Sequence, residues 1–249
     1  MRRFVNHFLS ALGFLTRLPV PRHVHEMPDA LADSVVFFPL VGLLVGAGAI
    51  ALNHAFSRFV AHEVVVVVVL VFLVAITGGF HEDALADAAD GFGGGWGKEQ
   101  VLKIMHDSRV GSFGALAIAL ALMARFVFLS NLPPQLFDNY LLAGQVTCRW
   151  TALPLAFFLA PPQEQSGQGA RIARKITIFS LVAGTLLTAA ILAVALRMKA
   201  LWVGLAALLM TGLSGAYYWR RIGGVTGDCL GATNQLTEVA VYFAGVVLG

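Results

Sequence analysis

Seven stretches of this chain are apolar enough, over a sufficient length, to cross a bilayer, and that pattern limits the fold more than any other feature. A helical crossing needs about 20 mostly apolar residues. The stretches run from Asp33 to Phe56, Glu63 to Phe80, Ser112 to Leu132, Tyr140 to Ala160, Ile176 to Leu196, Leu201 to Trp219 and Leu230 to Gly249. Asn234, Gln235 and Glu238 interrupt the last one. Val64 to Val69 is a β-branched run that would favour a strand in water. A lone strand in lipid leaves its backbone unpaired, so a helix is expected there. Composition agrees: 58% of the residues are hydrophobic and 12% charged, about half the charge of an ordinary soluble domain. So little charge cannot cover a soluble body. A soluble enzyme, a disordered chain and a coiled coil are thereby excluded. The expected class is all-α, a polytopic membrane bundle of about seven spans, with residues 1–249 as a single domain.

The basic residues give the expected orientation. One set of connections carries Arg2, Arg3, Arg17, Arg22, Lys98, Lys103, Arg109, Arg171, Arg174, Lys175, Arg220 and Arg221. The other carries only Arg58, Arg197 and Lys199. The positive-inside rule assigns the first set, and the N-terminus, to the cytoplasm. Met1 to Leu18 is closed by Arg17 and followed by Pro19 and Pro21 without small-residue cleavage chemistry. It reads as an amphipathic interfacial or half-inserted helix rather than a signal peptide. Arg125 and Arg149 fall inside spans, where lipid exposure is costly, so both are expected to face the bundle interior or to snorkel. Glu238 is a candidate partner for Arg149 or a site residue in its own right. Cys148 and Cys229 are far apart, which argues against a disulfide framework or a zinc site. The net charge of +3 gives no ground for a nucleic-acid partner.

The long polar insertion, His81 to Gly111, lies on the expected cytoplasmic side and holds six of the 14 acidic residues. Asp83, Asp87 and Asp90 recur at i, i+4 and i+7, one face of a helix. Like charges at this spacing destabilise a helix, so something must offset them. Hard oxygen ligands suit Mg²⁺ or Mn²⁺, and Mg²⁺ is usually held by one or two carboxylates plus substrate phosphates. The competing reading is a solvated acidic face. The alanines between the acids and the lack of basic partners at helical spacing weigh against it. His81 is a candidate ligand or general base, or a hydrogen-bonded structural residue at the helix entrance.

Three further elements could handle phosphate. Gly91 to Gly97 contains glycines whose backbone N–H groups could turn toward an anion, or which merely form a linker. Lys98 to His106 reads as a short amphipathic helix leading to Asp107-Ser108-Arg109-Val110-Gly111. Ser112 is a candidate N-cap for the next span. Arg109 would then lie by a helix N-terminus, suited to gripping phosphate, or would act only as a positive-inside anchor. Gly223 to Ala232 lies on the same face, and its one acid, Asp228, could complete a metal site, or the segment is only a glycine-rich turn entering the last span.

Together these residues resemble the cobalamin synthase family, the adenosylcobinamide-GDP ribazoletransferases. That family shows His-x-Asp-x-x-x-Asp-x-x-Asp-Gly after a span, then Asp-Ser-Arg-x-Gly, then Gly-Gly-x-Thr-Gly-Asp-x-x-Gly-Ala. Here they stand as His81 to Gly91, Asp107 to Gly111 and Gly223 to Ala232. Phe14 to Pro21 and Phe38 to Gly42 also match. Glu82, Ala84 and Cys229 depart from the usual pattern, and the added acid at Glu82 would be expected to alter metal affinity. The resemblance implies an integral membrane transferase of the bacterial inner membrane with its site toward the cytoplasm. It would join α-ribazole, or its 5′-phosphate, to adenosylcobinamide-GDP and release GMP. Mg²⁺ would be held by Asp83, Asp87, Asp90 and Asp228. Asp83, His81 and Arg109 would be catalytic. Gly93, Gly94, Gly95, Ser108, Arg109, Arg149, Thr226 and Gly227 would bind substrate. A homo-oligomer is left open.

Two other classes compete. A CDP-alcohol phosphotransferase shares Asp87-Ala88-Ala89-Asp90-Gly91, but the Ala-Arg that should follow is replaced by Gly94-Gly95, and the second acidic pair is missing. A transporter should carry its acids at the bilayer midplane, whereas here they lie at the end of a span.

Overall fold

A computed structural model describes residues 2–25, 30–162 and 168–249. All regular structure in these residues is helical, in fourteen α-helices. They are α1 (Arg2–Leu15), α2 (Arg22–His25), α3 (Ala30–Ser34), α4 (Phe38–Phe56), α5 (His62–Thr77), α6 (Phe80–Gly94) and α7 (Lys98–Met105). After these come α8 (Ser112–Ser130), α9 (Pro134–Trp150), α10 (Ala152–Phe158), α11 (Gln168–Lys175), α12 (Ile178–Leu196), α13 (Ala200–Ile222) and α14 (Gly227–Leu248). Single 3₁₀ turns at Val35–Phe37 and Arg197–Lys199 join α3 to α4 and α12 to α13. The valine run is helical within α5, as the lipid argument expects.

Among the described residues, three helical segments are long and apolar enough to cross a membrane: Leu31–Phe56, Ser112–Ser130 and Ile178–Ile222. The bent pair α5 and α6 makes a fourth if taken as one span. Seven are not established on this measure. The 16 residues of α5 reach only about 24 Å at 1.5 Å per residue. The fourth stretch is divided at Thr151 between α9 and α10. Polar side chains sit in α9 and α14, among them Gln145, Arg149, Asn234, Gln235 and Glu238, and all five are buried.

That burial explains the architecture. α9 and α14 cross at the centre and pack on one another, α4 and α12 lie against α9, and α6, α8 and α13 lie against α14. Glycine permits the closest approaches: a Cβ at Gly42 would overlap the backbone of Gln145, and one at Gly231 would overlap Ala84 of α6. Small residues at helix contacts are the usual means of close packing in lipid. The outer helices show the opposite pattern. Leu116, Leu120 and Met123 of α8, Leu186 and Val194 of α12, and Leu208 and Leu213 of α13 are all exposed. An apolar ring of this size suits lipid and not water.

The break between α5 and α6 positions the site. Gly78 and Gly79 take φ of 68° and 71°, a region that strongly favours glycine. α6 leaves α5 at 84°. Arg17 braces the corner: its backbone N–H donates to the Ile76 carbonyl at 2.7 Å, and its guanidinium fills the space where a Cβ on Gly78 would stand. The apolar stretch therefore stops at Thr77, short of Phe80, and the polar insertion begins as helix.

Candidate active site

The three aspartates of α6 grade from open to enclosed along the helix. Asp83 is exposed, Asp87 half-buried and Asp90 buried. Asp228, half-buried in the first turn of α14, lies in the same electrostatic group. Burial first, then the carboxylates of Asp228, Asp83 and Asp90, push the Asp87 carboxyl up to about 7, with His106 opposing. Burial and Asp83 likewise raise Asp228, against His106. These are the consequences expected of acids crowded without counter-charge.

Asp90 has a different position. Its Oδ2 accepts from the Gly111 N–H at 2.7 Å and its Oδ1 from the Gly114 N–H at 2.9 Å. A carboxylate from α6 thus caps the first turn of α8. The N-cap residue is Gly111, with no side-chain cap, so Ser112 does not play the capping role expected of it. Two of the donors at this helix start, the Gly111 and Gly114 N–H groups, are thus taken by Asp90, whose charge is favoured beside a helix N-terminus.

A cavity of about 1210 Å³ opens between α1, α6, α11 and the start of α14. It is larger than most small-molecule sites. Asp83, Asp228, His81, His106, Arg149 and Gly227 are among its lining residues, together with Arg17, Arg171, Arg174 and Lys175. His81 is 5% exposed, and neither ring nitrogen has a hydrogen-bond partner. Burial, then the charges of Arg149 and Arg125, hold its imidazole well below the usual histidine range, so the ring is neutral. Thr226 is the N-cap of α14, its hydroxyl accepting from the Cys229 N–H at 3.2 Å.

Among the described residues no three His, Cys, Asp or Glu side chains converge tightly enough to hold a metal ion by themselves. Mg²⁺ seldom asks for that, since it keeps water and phosphate oxygens in its shell. Asp83, Asp87 and Asp228, hard oxygen donors that repel each other, fit such a partial shell. Asp90 would have to share oxygens that already bind backbone.

Behind α6 lies a second polar region. Arg125, 1% exposed, donates to Glu82 Oε1 at 2.9 Å and to Glu238 Oε2 at 3.4 Å. Gln145 donates to Glu238 Oε1 at 2.9 Å and to the Tyr242 hydroxyl at 3.0 Å. Arg149 donates to Gln145 Oε1 at 2.8 Å. Both intramembrane arginines therefore face the interior, as expected. Glu238 pairs with Arg125 and only meets Arg149 through Gln145. Glu82 is bound into this seam by Arg125 rather than added to the acids of the cavity.

A model of the cobalamin-5-phosphate synthase family matches residues 7–246. Proteins named adenosylcobinamide-GDP ribazoletransferase match along nearly the whole length. The one from Shewanella woodyi is 38% identical, covering 97% of this chain and 96% of that protein. The one from Shewanella piezotolerans is 34% identical over 100% and 97%, and that from Shewanella pealeana 37% over 98% and 96%. The chain belongs to the cobalamin-5-phosphate synthase family. No solved structure matches it significantly.

Within this family member, the other expected residues lie apart from the large cavity. Arg109 is 87% exposed and forms an ion pair with Asp107 at 2.6 Å, holding the Asp107 carboxyl down at about 2. Arg109, Asp90 and Gly94 line a separate, shallower pocket of about 470 Å³. Ser108 is exposed beside it. The glycine stretch is not a loop throughout, because α6 continues to Gly94. A Cβ at Gly91 would press on Met105, at Gly93 on the Phe113 ring and at Gly95 on Val101. These glycines let α7 and α8 pack close to α6. Sequence reasoning missed the cations of the large cavity, Arg17, Arg171, Arg174 and Lys175, and also Asn234. The four cations had been read only as markers of membrane side.

Proposed function

We propose that this chain is an adenosylcobinamide-GDP ribazoletransferase, joining α-ribazole or its 5′-phosphate to adenosylcobinamide-GDP with release of GMP. The observation that carries the reading is the electrostatic crowding of Asp87 with Asp83 and Asp228, of which Asp83 and Asp228 line a cavity that also holds several cations, in a chain of this family. A hydroxyl of the ribazole ribose attacks the phosphorus on the cobinamide side. The P–O bond to GMP breaks, and the hydroxyl proton passes to His81 or to a carboxylate of α6. The neutral His81 ring, with both nitrogens unpartnered, offers an acceptor for that hydroxyl. Asp83, Asp87 and Asp228 would hold Mg²⁺, with Asp90 tying the end of the acidic helix to α8. Bound there, Mg²⁺ would neutralise the diphosphate and polarise the reacting phosphoryl. Phosphoryl transfer of this kind depends mainly on positioning and charge stabilisation. Arg149 lines the cavity floor as a substrate contact. Arg109 and Gly94 line the shallower pocket, with Ser108 exposed next to Arg109 in the chain, and Arg109 would need to leave Asp107 to reach a phosphate.

The proposed setting is the bacterial inner membrane, with seven crossings formed by α4, α5, α8, α9 with α10, α12, α13 and α14. α1, amphipathic with Ala11 and Leu15 buried and Phe4 and Val5 exposed, would lie at the cytoplasmic interface. The insertion 81–111 then faces the cytoplasm, where the basic connections gather. The test is GMP release on mixing adenosylcobinamide-GDP and α-ribazole with purified protein, with and without Mg²⁺. CDP-diacylglycerol plus an alcohol serves as the comparison. Turnover of the second pair and not the first would overturn the reading.

A further inference from the structure

The large cavity has a floor of three polar side chains, one each from α6, α9 and α14. The first and last of these helices meet closely: a Cβ on Gly231 of α14 would overlap Ala84 and stand 3.9 Å from the His81 Cα. Asn234 follows Gly231 by three residues, so it falls on the same face of α14. Arg149 of α9 is held by its Nη1, which donates to the Gln145 carbonyl at 3.0 Å and to Gln145 Oε1 at 2.8 Å. His81, Arg149 and Asn234 are each at least 95% buried, and all three line the cavity.

Each of the three keeps polar atoms without a hydrogen-bond partner. They are both ring nitrogens of His81, Nε of Arg149 and Oδ1 of Asn234. Buried polar groups are almost always satisfied. Glu82 Oε2 and Arg125 Nε are also unpartnered, but neither of those residues lines the cavity. The floor atoms differ in bordering space that a ligand can enter.

The kinds of atom narrow the choice of ligand. Arg149 Nε–H is a donor, and the His81 ring carries at least one N–H in either protonation state. Asn234 Oδ1 only accepts, so its partner must bring a hydrogen. An ionised diphosphate has none to give. A hydroxyl both donates and accepts. The wall beside the floor is aromatic. Phe14 stacks on Phe38 at 5.8 Å and meets Phe80 edge-on at 5.3 Å, and Phe80 lies 5.2 Å from the His81 ring. All three phenylalanines line the cavity. Such a wall suits a flat aromatic group with few polar edge atoms. Ribazole, a benzimidazole on a ribose, has both parts. Guanine has polar atoms around its edge that phenylalanines leave unmatched. Asp228 lies six residues before Asn234, about 9 Å along α14. That leaves room for a phosphoryl group between a sugar on the floor and the acids.

We propose that Asn234, with His81 and Arg149, forms the seat of the attacking sugar, Asn234 Oδ1 accepting from a ribose hydroxyl of α-ribazole while the wall of Phe14, Phe38 and Phe80 takes its benzimidazole. This rests on the reaction assigned above. Asn234 is then a contact for the nucleophile and not for the nucleotide.

The experiment uses full-length protein in nanodiscs, with α-ribazole and GDP binding measured directly beside the KM for each substrate and the thermal midpoint. Asn234→Leu is expected to weaken α-ribazole binding, and to raise its KM, by about tenfold. GDP binding and the KM for adenosylcobinamide-GDP should be unchanged. The midpoint should also be unchanged, because Oδ1 makes no bond within the fold. Asn234→Asp, which keeps an acceptor at that place, should retain most of the α-ribazole affinity. Asn53→Leu should do the reverse of Asn234→Leu: it breaks a 2.8 Å bond to Asp138 at the far end of α4, so it should lower the midpoint and leave α-ribazole binding alone. Wild-type α-ribazole binding and KM in Asn234→Leu would overturn the seat and leave water as the partner of the floor. Weakened GDP binding with α-ribazole unaffected would also overturn it, in favour of a guanine site. If wild type released no GMP while α-ribazole binding still fell in Asn234→Leu, the seat would stand and the assigned reaction would fail.

Discussion

Glu82 and Asp83 are neighbours on α6, yet they belong to two regions that treat charge in opposite ways. Glu82 faces the bundle, where Arg125 holds it at 2.9 Å and Gln235 adds a bond at 3.3 Å. That seam continues through Glu238, Gln145 and Tyr242. Asp83 faces the cavity, where the acids crowd each other and His81 has no partner. A buried network of paired charges fixes a structure, even though Glu82 Oε2, Arg125 Nε and Gln235 Oε1 each lack a partner. A group of unsatisfied ones stores interactions for a ligand. One helix turn therefore divides what holds the site in place from what the site does.

Breaking the seam should have the largest effect. Arg125→Met leaves Glu82 and Glu238 buried without their cation, which costs about 3–5 kcal/mol. Thermal unfolding in detergent should show a large drop in midpoint, and an unchanged midpoint would dissolve the distinction between the regions. On the cavity side, Asp83→Ala should cost about a hundredfold to a thousandfold in GMP release, at a wild-type midpoint. Asp90 stands between the two. Asp90→Ala removes the cap of α8 and should cost about 1–2 kcal/mol of stability, whether or not Mg²⁺ is present. A loss confined to Mg²⁺-containing samples would instead make Asp90 chiefly a metal ligand.

The smallest expected effect is the pH dependence of metal binding. With its carboxyl at about 7, Asp87 keeps its proton in the folded protein where an unfolded chain would have lost it. Its contribution to stability is present below the ordinary carboxylate range and is lost as pH rises through about 7. Mg²⁺, which needs the ionised form, should offset that loss. Calorimetric titration of Mg²⁺ should give about tenfold tighter binding at pH 8 than at pH 6. Asp87→Asn should remove that difference, and its persistence would move the titrating group elsewhere.

What could be read from the sequence follows the same division. The helical class, the buried orientation of Arg125 and Arg149, and the shared face of Asp83, Asp87 and Asp90 are local properties, set by helical period and by the cost of charge in lipid. Glu82 looked like an extra acid because its partner Arg125 lies 43 positions away. Asp90 looked like a ligand because Gly111 and Gly114, 21 and 24 positions on, leave no trace in the motif itself. The glycines after Asp90 suggested a phosphate loop, whereas contacts with Met105, Phe113 and Val101 require them. The cations of α11 were visible as charge, but only the folded chain shows that they border the cavity. Pairing across sequence distance was the missing information in each case.

The division on α6 is tested most directly by one paired measurement: Mg²⁺-dependent GMP release and thermal midpoint in Glu82→Gln and Asp83→Asn. The account predicts that Asp83→Asn keeps its midpoint and loses GMP release, while Glu82→Gln unfolds earlier but turns over per folded molecule. Wild-type GMP release by Asp83→Asn would contradict it.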